Sequence, residues 1–405
     1  MGTPSSRHEP SWESRRARHL PLNFFDSLDR SIAGARGRGV DVIDLSKGNP
    51  DLPTPPHVVA ELGAAAGLLR NQRYAGFTAK EGLRRAIAER YRLDHGVTLD
   101  PDTQVAVFQG SGEALMALPH ALMDAGDTLL VPDPAYPPYL DAAALAGVGV
   151  RRLPLSEEDG YLPALDPAST AAWRGSRLLV LNYPNNPTGA VADEDFWVRA
   201  REAARREGVL LVNDFAYSHL DHSRATAVSA LVADPTGEEL LELGSLSKTY
   251  SMAGWRIGWA AGNADAVAAL SRYRAVASSL IFGAVQDAAQ VALSGNQEPA
   301  RAIAAEYRAR RDLVVGALRA GGWHVSDPAG TFFVWVRPPE GDHGVVDGEA
   351  VAAALLADAG VAVAPGLGFG QSGRAWVRLG LVQPRDVLTR ACRLLVNWGR
   401  EGAGQ

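Results

Sequence analysis

The stretch "GSLSKTYSMAGWRIGW", residues 244–259, places a single lysine, Lys248, among small and hydroxyl-bearing side chains. The stretch contains no carboxylate, and Arg256 follows Lys248 by eight positions. Lysine side chains are usually exposed to solvent, where they lie among other charged groups. A lysine surrounded by hydroxyl groups and glycines therefore indicates a chemical role rather than a solubilising one.

The composition is that of an ordinary globular enzyme, and a length of 405 residues suggests two or three domains. The formal net charge of −6 gives no general attraction for nucleic acid or anionic lipid. No apolar run approaches the roughly 20 residues that cross a membrane. Cys392 is the only cysteine, which excludes an intramolecular disulfide and a cysteine-based zinc site. Because the N-terminal residues lack the apolar segment of a signal peptide, we expect a cytoplasmic location.

From about residue 58 onward, short apolar runs alternate with alanine-rich amphipathic stretches. The runs predict strands over 105–109, 128–131, 177–182, 209–213, 240–244 and 257–261. The stretches between them predict helices over 112–124, 136–146, 193–207 and 263–275. Continuous apolar strands interleaved with helices indicate an α/β fold, in which helices cover both faces of a mostly parallel sheet.

After about residue 296 the pattern changes to that of a smaller α+β domain. It predicts helices over 299–320 and 384–398, and strands over 331–336, 361–364 and 376–380. The segment 41–55 is expected to join this part. We therefore predict a flexible arm over 1–19, a large domain over 58–296, and a small domain made of 20–57 and 297–405.

Three motifs follow predicted strands, and each has a plain structural alternative. "GSGEA" at 110–114 is typical of a phosphate-binding helix start, although such a junction is more often only a turn. "NYPNNPTG" at 182–189 is either a surface turn or a rigid platform for polar contacts. "NDFAY" at 213–217 places Asp214 after an apolar strand, where it is either a helix cap or the partner of a cation.

Two further groups of residues complete the pattern. Ser245 and Arg256 flank Lys248, and Arg378 interrupts the apolar strand "AWVRLGLV". A buried arginine is costly unless it is paired, so Arg378 is either part of a structural salt bridge or a ligand for a carboxylate.

One chemistry accounts for all of these motifs. A pyridoxal phosphate site needs a lysine for a Schiff base, an aspartate for the pyridinium nitrogen, and amides, a hydroxyl and an arginine for the phosphate.

The motifs "YPNNPTG", "NDFAY" and "SLSKTYSMAGWRIGW", in this order, resemble those of the class I/II aminotransferases, the fold type I family related to aspartate aminotransferase. The resemblance covers roughly residues 40–398. It implies that the large domain binds pyridoxal 5'-phosphate, and that the enzyme moves an amino group between an L-amino acid and a 2-oxo acid. The reaction would be ping-pong and would serve amino-acid metabolism and biosynthesis.

The resemblance also implies a role for each matching residue. Lys248 would form the Schiff base and move the proton, Asp214 would pair with the ring nitrogen, and Tyr217 would hydrogen-bond the ring hydroxyl. These three are the predicted catalytic residues. The predicted cofactor site consists of Gly112, Glu113, Tyr136, Asn186, Asp214, Tyr217, Ser245, Lys248, Arg256 and Tyr74.

Within that set, the resemblance assigns the phosphate to the amides of Gly112 and Glu113 together with Ser245 and Arg256. Tyr136 would stack on the ring, and Asn186 would reach both the ring hydroxyl and the substrate. The predicted substrate-binding residues are Gly48, Asn186 and Arg378. Tyr74 would reach the phosphate of a neighbouring subunit, which implies a homodimer.

Several alternatives stay open at this point. The same scaffold carries β-lyases, cyclases, decarboxylases and oxidases, and a non-enzymatic sensor fused to a DNA-binding module is a more remote alternative. Lys47 either reaches the substrate side chain or is simply exposed, and we favour exposure. The "HLDH" run at 219–222 contains two histidines without further metal ligands, so we expect surface residues and no metal site. The expected partners are small molecules, with no nucleic acid and no membrane.

Overall fold

The computed structural model describes residues 12–14, 18, 20, 23–278, 281–339 and 347–402. Most of the predicted arm over 1–19 lies outside the described residues. The strands are β1 (Ile43–Asp44), β2 (Val105–Phe108), β3 (Thr128–Asp133), β4 (Gly149–Pro154), β5 (Leu178–Leu181), β6 (Leu210–Asp214), β7 (Leu240–Ser245), β8 (Gly258–Gly262), β9 (His324–Val325), β10 (Phe333–Arg337), β11 (Val361–Ala362), β12 (Ala364–Pro365) and β13 (Val377–Gly380).

Helices alternate with these strands along the described chain. The α-helices are α1 (Phe24–Gly37), α2 (Pro56–Ala66), α3 (Leu69–Gln72), α4 (Glu81–His95), α5 (Ser111–Leu122), α6 (Pro138–Ala146), α7 (Pro167–Thr170), α8 (Glu194–Glu207), α9 (Leu246–Thr249), α10 (Ala264–Ala277), α11 (Gly283–Ser294), α12 (Glu298–Ala320), α13 (Gly348–Ala354) and α14 (Arg385–Gly402). A π-helical turn over Leu355–Ala359 continues α13.

A seven-stranded sheet in the order β2-β8-β7-β6-β5-β3-β4 forms the larger part of the fold. Strand β8 is antiparallel to both of its neighbours, and the other neighbouring pairs are parallel. Along β2, Val105 and Val107 belong to one apolar cluster, while Ala106 and Phe108 belong to another. Because both faces are covered at the centre of the sheet, the central strands have continuous apolar sequences, as the sequence predicted.

A third apolar cluster lies around the smaller sheets. Strands β12, β13, β10 and β9 form an antiparallel sheet in that order, and β1 pairs with β11 in parallel. Ile43 and Leu45 pack in the same cluster as Trp323 and Leu388, so the segment near residue 45 packs with the C-terminal part of the chain. The predicted fold class, a mostly parallel sheet covered by helices plus a smaller α+β part, is confirmed. The boundaries at 58 and 296 stay predictions.

The ends of α8 illustrate how local sequence sets these elements. Oδ1 of Asp193 accepts a hydrogen bond from the backbone N–H of Phe196 at 2.7 Å, which caps the first turn. Gly208, with φ of 72°, ends the helix in the left-handed conformation that glycine adopts readily. The chain then enters β6, which carries Asp214 at its carboxyl end.

Candidate active site

A cavity of about 350 Å³ lies at the carboxyl ends of the parallel strands, where ligands bind in sheets of this kind. Most of the sequence-predicted site residues line it: Gly48, Gly112, Tyr136, Asn186, Asp214, Tyr217, Ser245, Lys248, Arg256 and Arg378. The cavity lining also includes Ser111, Asn182 and Ser247, which the sequence analysis did not single out. Glu113 and Tyr74 are not part of this lining.

Lys248 lies on the short helix α9, directly after the end of β7. The Oγ of Ser245 caps this helix by accepting from the N–H of Ser247 at 3.1 Å. The Nζ of Lys248 donates a hydrogen bond to the backbone carbonyl of Gly48 at 2.9 Å. Burial, followed by the positive charges of Arg378 and Arg256, lowers the pKa of Lys248 to about 8, and Asp214 opposes this shift. The amine is therefore closer to its neutral, nucleophilic form than an ordinary lysine.

Asp214 is buried at the carboxyl end of β6, with only 4% of its surface exposed. Its Oδ2 accepts a hydrogen bond from the hydroxyl of Tyr139 at 2.9 Å, whereas Oδ1 has no hydrogen-bond partner among the described residues. Burial raises the pKa of Asp214 to about 6, against the effect of the Tyr139 hydrogen bond. Buried polar atoms are normally paired. The free oxygen therefore fits a positively charged N–H donor that enters the cavity.

The amino end of α5 and Arg256 form a cradle for an anion. Ser111 and Gly112 begin the 12-residue helix α5 and line the cavity. The guanidinium of Arg256 is held by the carbonyls of Ala253 and Gln109, at 2.9 Å and 3.2 Å. Backbone N–H groups at a helix start and an arginine are together suited to a phosphate.

Gly110 is required for this close approach. A Cβ atom on Gly110 would lie 2.6 Å from Nη2 of Arg256, and its φ of 84° favours glycine. Glu113, by contrast, does not line the cavity. Its N–H donates to the carbonyl of Gly110 at 3.2 Å, and its carboxylate accepts from the N–H of Gln109 and from Ser278. The predicted phosphate contact of Glu113 stays a prediction.

Arg378 is 1% exposed and has two hydrogen bonds that aim its guanidinium. It donates to Oδ1 of Asn186 at 2.8 Å and to the carbonyl of Ser46 at 2.7 Å. Among the described residues, no carboxylate forms a salt bridge with Arg378, so the alternative of a structural salt bridge is wrong. Burial lowers the pKa of Arg378 to about 10. A buried guanidinium without a carboxylate partner fits an anionic group supplied by a ligand.

Aromatic rings surround the same guanidinium. Its Cζ lies 3.9 Å from the ring centre of Phe333, 4.7 Å from that of Phe369 and 5.8 Å from that of Phe25. Gly48 is also tightly packed, since a Cβ there would lie 2.5 Å from the ring of Phe333. These contacts hold Arg378 in one orientation.

The "NYPNNPTG" motif is a buried platform and not a surface turn. Asn185, Asn186 and Thr188 are at most 3% exposed. Asn182 links the motif to its neighbours, since its Nδ2 donates to the carbonyl of Asp214 at 2.6 Å and its Oδ1 accepts from the N–H of Asn186 at 2.8 Å. The platform therefore fixes two predicted site residues relative to each other.

The remaining predicted aromatic residues differ in their surroundings. The ring of Tyr136 lies edge-on to that of Tyr139, with 5.8 Å between the ring centres. The ring of Tyr217 lies edge-on to that of Phe332, with 5.5 Å between the ring centres. Burial raises the pKa of both Tyr136 and Tyr217, so both phenols stay protonated at neutral pH. Tyr74 is fully exposed in the single chain.

The "HLDH" interpretation needs a correction. His222 is 8% exposed and the His219 side chain 13%, so these histidines are not surface residues. Burial lowers the pKa of each to about 4, which keeps both rings neutral. The described residues contain no group of three or more potential metal ligands.

The model of the family "Aminotransferase class I and II" matches residues 40–395 of the chain. The chain belongs to the class I and II aminotransferase family. Among its relatives, an LL-diaminopimelate aminotransferase from Desulforudis audaxviator is 40% identical over 385 residues, which cover 95% of this chain and 97% of that protein. An L-glutamine–4-(methylsulfanyl)-2-oxobutanoate aminotransferase from Bacillus subtilis is 38% identical over 379 residues, which cover 94% of each.

Solved structures agree with the family assignment. Substrate-bound BacF from Bacillus subtilis is 34% identical and has a TM-score of 0.90, with 96% of this chain and 98% of that chain covered. An aspartate aminotransferase from Thermus thermophilus bound to maleate is 29% identical and has a TM-score of 0.86. Like its relatives, this aminotransferase depends on pyridoxal phosphate.

Among the described residues, no helix has the length and apolar character needed to span a membrane.

The cavity residues of this aminotransferase fit the cofactor. The free Oδ1 of Asp214 suits a protonated ring nitrogen, and the cradle of Arg256 and the α5 start suits a phosphate. Lys248, with its lowered pKa, supplies the amine that an aldehyde requires.

The lowered pKa of Lys248 predicts how its amine reacts in the cofactor-free protein. Only the neutral amine is nucleophilic, so its acylation rate should rise about tenfold per pH unit below pH 8 and level off above it. The chain has two other lysines, Lys47 and Lys80, so peptide mapping by mass spectrometry can assign the label. A lysine model peptide, with an ordinary pKa of about 10.4, serves as the reference. A Lys248 rate that still rises steeply at pH 10 would contradict the shift.

Proposed function

We propose that Lys248, Asp214 and Tyr217 are the catalytic residues of an aminotransferase that passes the amino group of an L-amino acid to a 2-oxo acid by a ping-pong mechanism. The observation that carries the proposal is the amine of Lys248 in one cavity with a free oxygen of Asp214 and the guanidinium of Arg378. These groups suit, in turn, an aldehyde, a ring cation and a substrate carboxylate.

The cofactor would be held by Gly112, Glu113, Tyr136, Asn186, Asp214, Tyr217, Ser245, Lys248 and Arg256, with Tyr74 from a second subunit. When bound, pyridoxal phosphate supplies an aldehyde that takes up the amino group and a ring that accepts electrons from the substrate Cα. Asp214 would remain ionised beside the ring nitrogen, because an adjacent positive charge outweighs the burial that raises its pKa in the free protein.

Lys248 is proposed to carry the proton that leaves the substrate Cα. A general base works best with a pKa near the operating pH, and a value of about 8 meets that condition. The carbonyl of Gly48 accepts from Nζ and orients it. Tyr217, kept protonated by burial, would donate a hydrogen bond to the cofactor ring hydroxyl.

Gly48, Asn186 and Arg378 are proposed to bind the substrate α-carboxylate. Arginine presents a planar pair of donors that matches a carboxylate. Asn186 and the Ser46 carbonyl already hold the guanidinium, so it needs little reorganisation when the substrate arrives. A fixed carboxylate also fixes the substrate Cα relative to Lys248, which is required for proton transfer.

A homodimer is proposed from the exposed apolar side chains near Tyr74. Leu69, Tyr74, Phe77 and Val276 are between 64% and 101% exposed, which is unusual for large apolar groups that lie in one region. The carbonyl of Phe77 accepts from Arg274, so the segments that carry these side chains are in contact. Pairing with a second copy would cover this face and bring Tyr74 to the partner's cavity. A cytoplasmic location stays a prediction.

The test is to mix the purified enzyme with a panel of amino acids and follow the cofactor absorption band. Transamination predicts conversion to the pyridoxamine form, release of the 2-oxo acid and no release of ammonia. A second 2-oxo acid should restore the original band. Ketone formation with ammonia, and without the pyridoxamine form, would favour a lyase or an oxidase on this scaffold.

A further inference from the structure

One wall of the active-site cavity carries charges that the proposed catalytic cycle does not use. Asp29 on α1 and Lys47 after β1 both line the cavity and form an ion pair with each other. The Nζ of Lys47 also lies 3.8 Å from Oδ2 of Asp44. The three side chains carry a formal charge of −1. Phe25 and Leu28 add apolar surface to the same wall.

The position of Lys47 in the chain places this wall next to the substrate. The carbonyl of Ser46 accepts from Arg378, and the carbonyl of Gly48 accepts from Lys248. A substrate whose carboxylate binds Arg378 and whose amine lies near Lys248 therefore has its Cα along the segment 46–48. The cofactor would occupy the part of the cavity near Asp214 and Arg256. The substrate side chain is left with the wall of Phe25, Leu28, Asp29 and Lys47.

We propose that this wall is a side-chain subsite, in which Asp29 binds the positively charged end of a long amino-acid side chain. This inference rests on the proposed transamination and assigns its substrate class, an amino donor with a terminal ammonium group. Phe25 and Leu28 contact the methylene stem.

Charge balance decides between a cationic and an anionic side chain. With an ammonium group beside Asp29, Lys47 keeps Asp44, and two carboxylates face two cations. Two hydrogen bonds hold the Asp44 carboxylate in place. Its Oδ1 accepts from the N–H and the hydroxyl of Ser46 at 2.9 Å and 2.7 Å. A side-chain carboxylate would instead add a third negative charge beside one lysine, and repulsion between like charges disfavours that arrangement.

The test uses three amino donors of similar length: L-lysine, neutral L-2-aminoheptanoate and anionic L-2-aminoadipate. The second-order rate constant for cofactor conversion is measured for each with the holoenzyme. The wild type should react fastest with lysine and slowest with 2-aminoadipate. Asp29→Asn should lower the ratio of the lysine constant to the 2-aminoheptanoate constant about fivefold, the upper end for a partly exposed ion pair.

Two further variants sharpen the result. Asp26→Asn removes the same charge from the same helix at a residue that pairs with Arg30 and does not line the cavity, so the ratio should not change. Lys47→Met should raise the ratio, because Asp29 is then free for the substrate.

Specific outcomes would overturn the subsite. These are an unchanged ratio in Asp29→Asn, a wild-type preference for 2-aminoadipate that Lys47→Met removes, or conversion by other amino acids but not by lysine. Failure of every amino acid to convert the bound cofactor would instead contradict the proposed transamination itself.

Discussion

Lys248→Ala is expected to lower the rate of amino-group transfer by at least about 10²–10⁴-fold, the range that a positioned proton-transfer group contributes. The variant loses the amine that reacts with the cofactor aldehyde and the base that would move the Cα proton. The rate of cofactor conversion with an amino donor measures the loss. The short helix α9 should still form, because its cap is made by Ser245 and Ser247 and not by Lys248.

The matched control is Lys80→Ala, which changes a lysine paired with Asp287 and absent from the cavity lining. It should retain the amino-group transfer rate even where it lowers the melting temperature. In the wild type, borohydride should fix the cofactor on the peptide that contains Lys248. A label on the Lys80 peptide, or normal turnover by Lys248→Ala, would remove Lys248 from its proposed role.

Arg378→Leu is expected to weaken amino-acid binding by roughly 2–5 kcal/mol, the scale for breaking a buried charge pair. Three aromatic rings enclose the guanidinium, and no carboxylate among the described residues competes for it. In Arg378→Leu, water therefore cannot easily take over the hydrogen bonds that the guanidinium would give to the substrate carboxylate. The dissociation constant of a slowly reacting amino acid, read from the cofactor spectrum, gives the effect directly.

Two comparisons separate recognition of the carboxylate from general damage. An amine that lacks the α-carboxylate should bind Arg378→Leu and wild type with similar affinity. Arg378→Lys keeps the charge but loses the planar pair of donors, so it should recover only part of the binding. Unchanged amino-acid affinity in Arg378→Leu would exclude Arg378 from the substrate site.

The sheet was largely predictable because burial on both faces gives each central strand a continuous apolar sequence. The strands over 178–181 and 210–214 lie within a residue or two of their predicted bounds. Strand β4 was missed for the opposite reason. Its sequence "GVRRLP" lies at the edge of the sheet and is mostly exposed, so it lacks the apolar run that marks the other strands.

The candidate site was predictable where a motif keeps its residues close in sequence. Lys248 and Arg256 come from one stretch, and both line the cavity. Contacts between distant segments gave no such signal. Tyr139 meets Asp214 across 75 positions, and Asn182 meets the Asp214 backbone across 32. Asp29 could not be assigned to the cavity either, since only the folded position of α1 brings it to Lys47.

The hydrogen bond between Lys248 and Gly48 joins regions that pack in separate apolar clusters. Leu246, two positions before Lys248, belongs to one of the two clusters of the large sheet, whereas Leu45, three positions before Gly48, belongs to the cluster of the smaller sheets. A slight shift of the segment that carries Gly48 would pull the amine from its acceptor while both clusters stayed packed. Mild heating should therefore inactivate the enzyme before its ellipticity changes, and added cofactor, by bridging the gap, should delay that first loss.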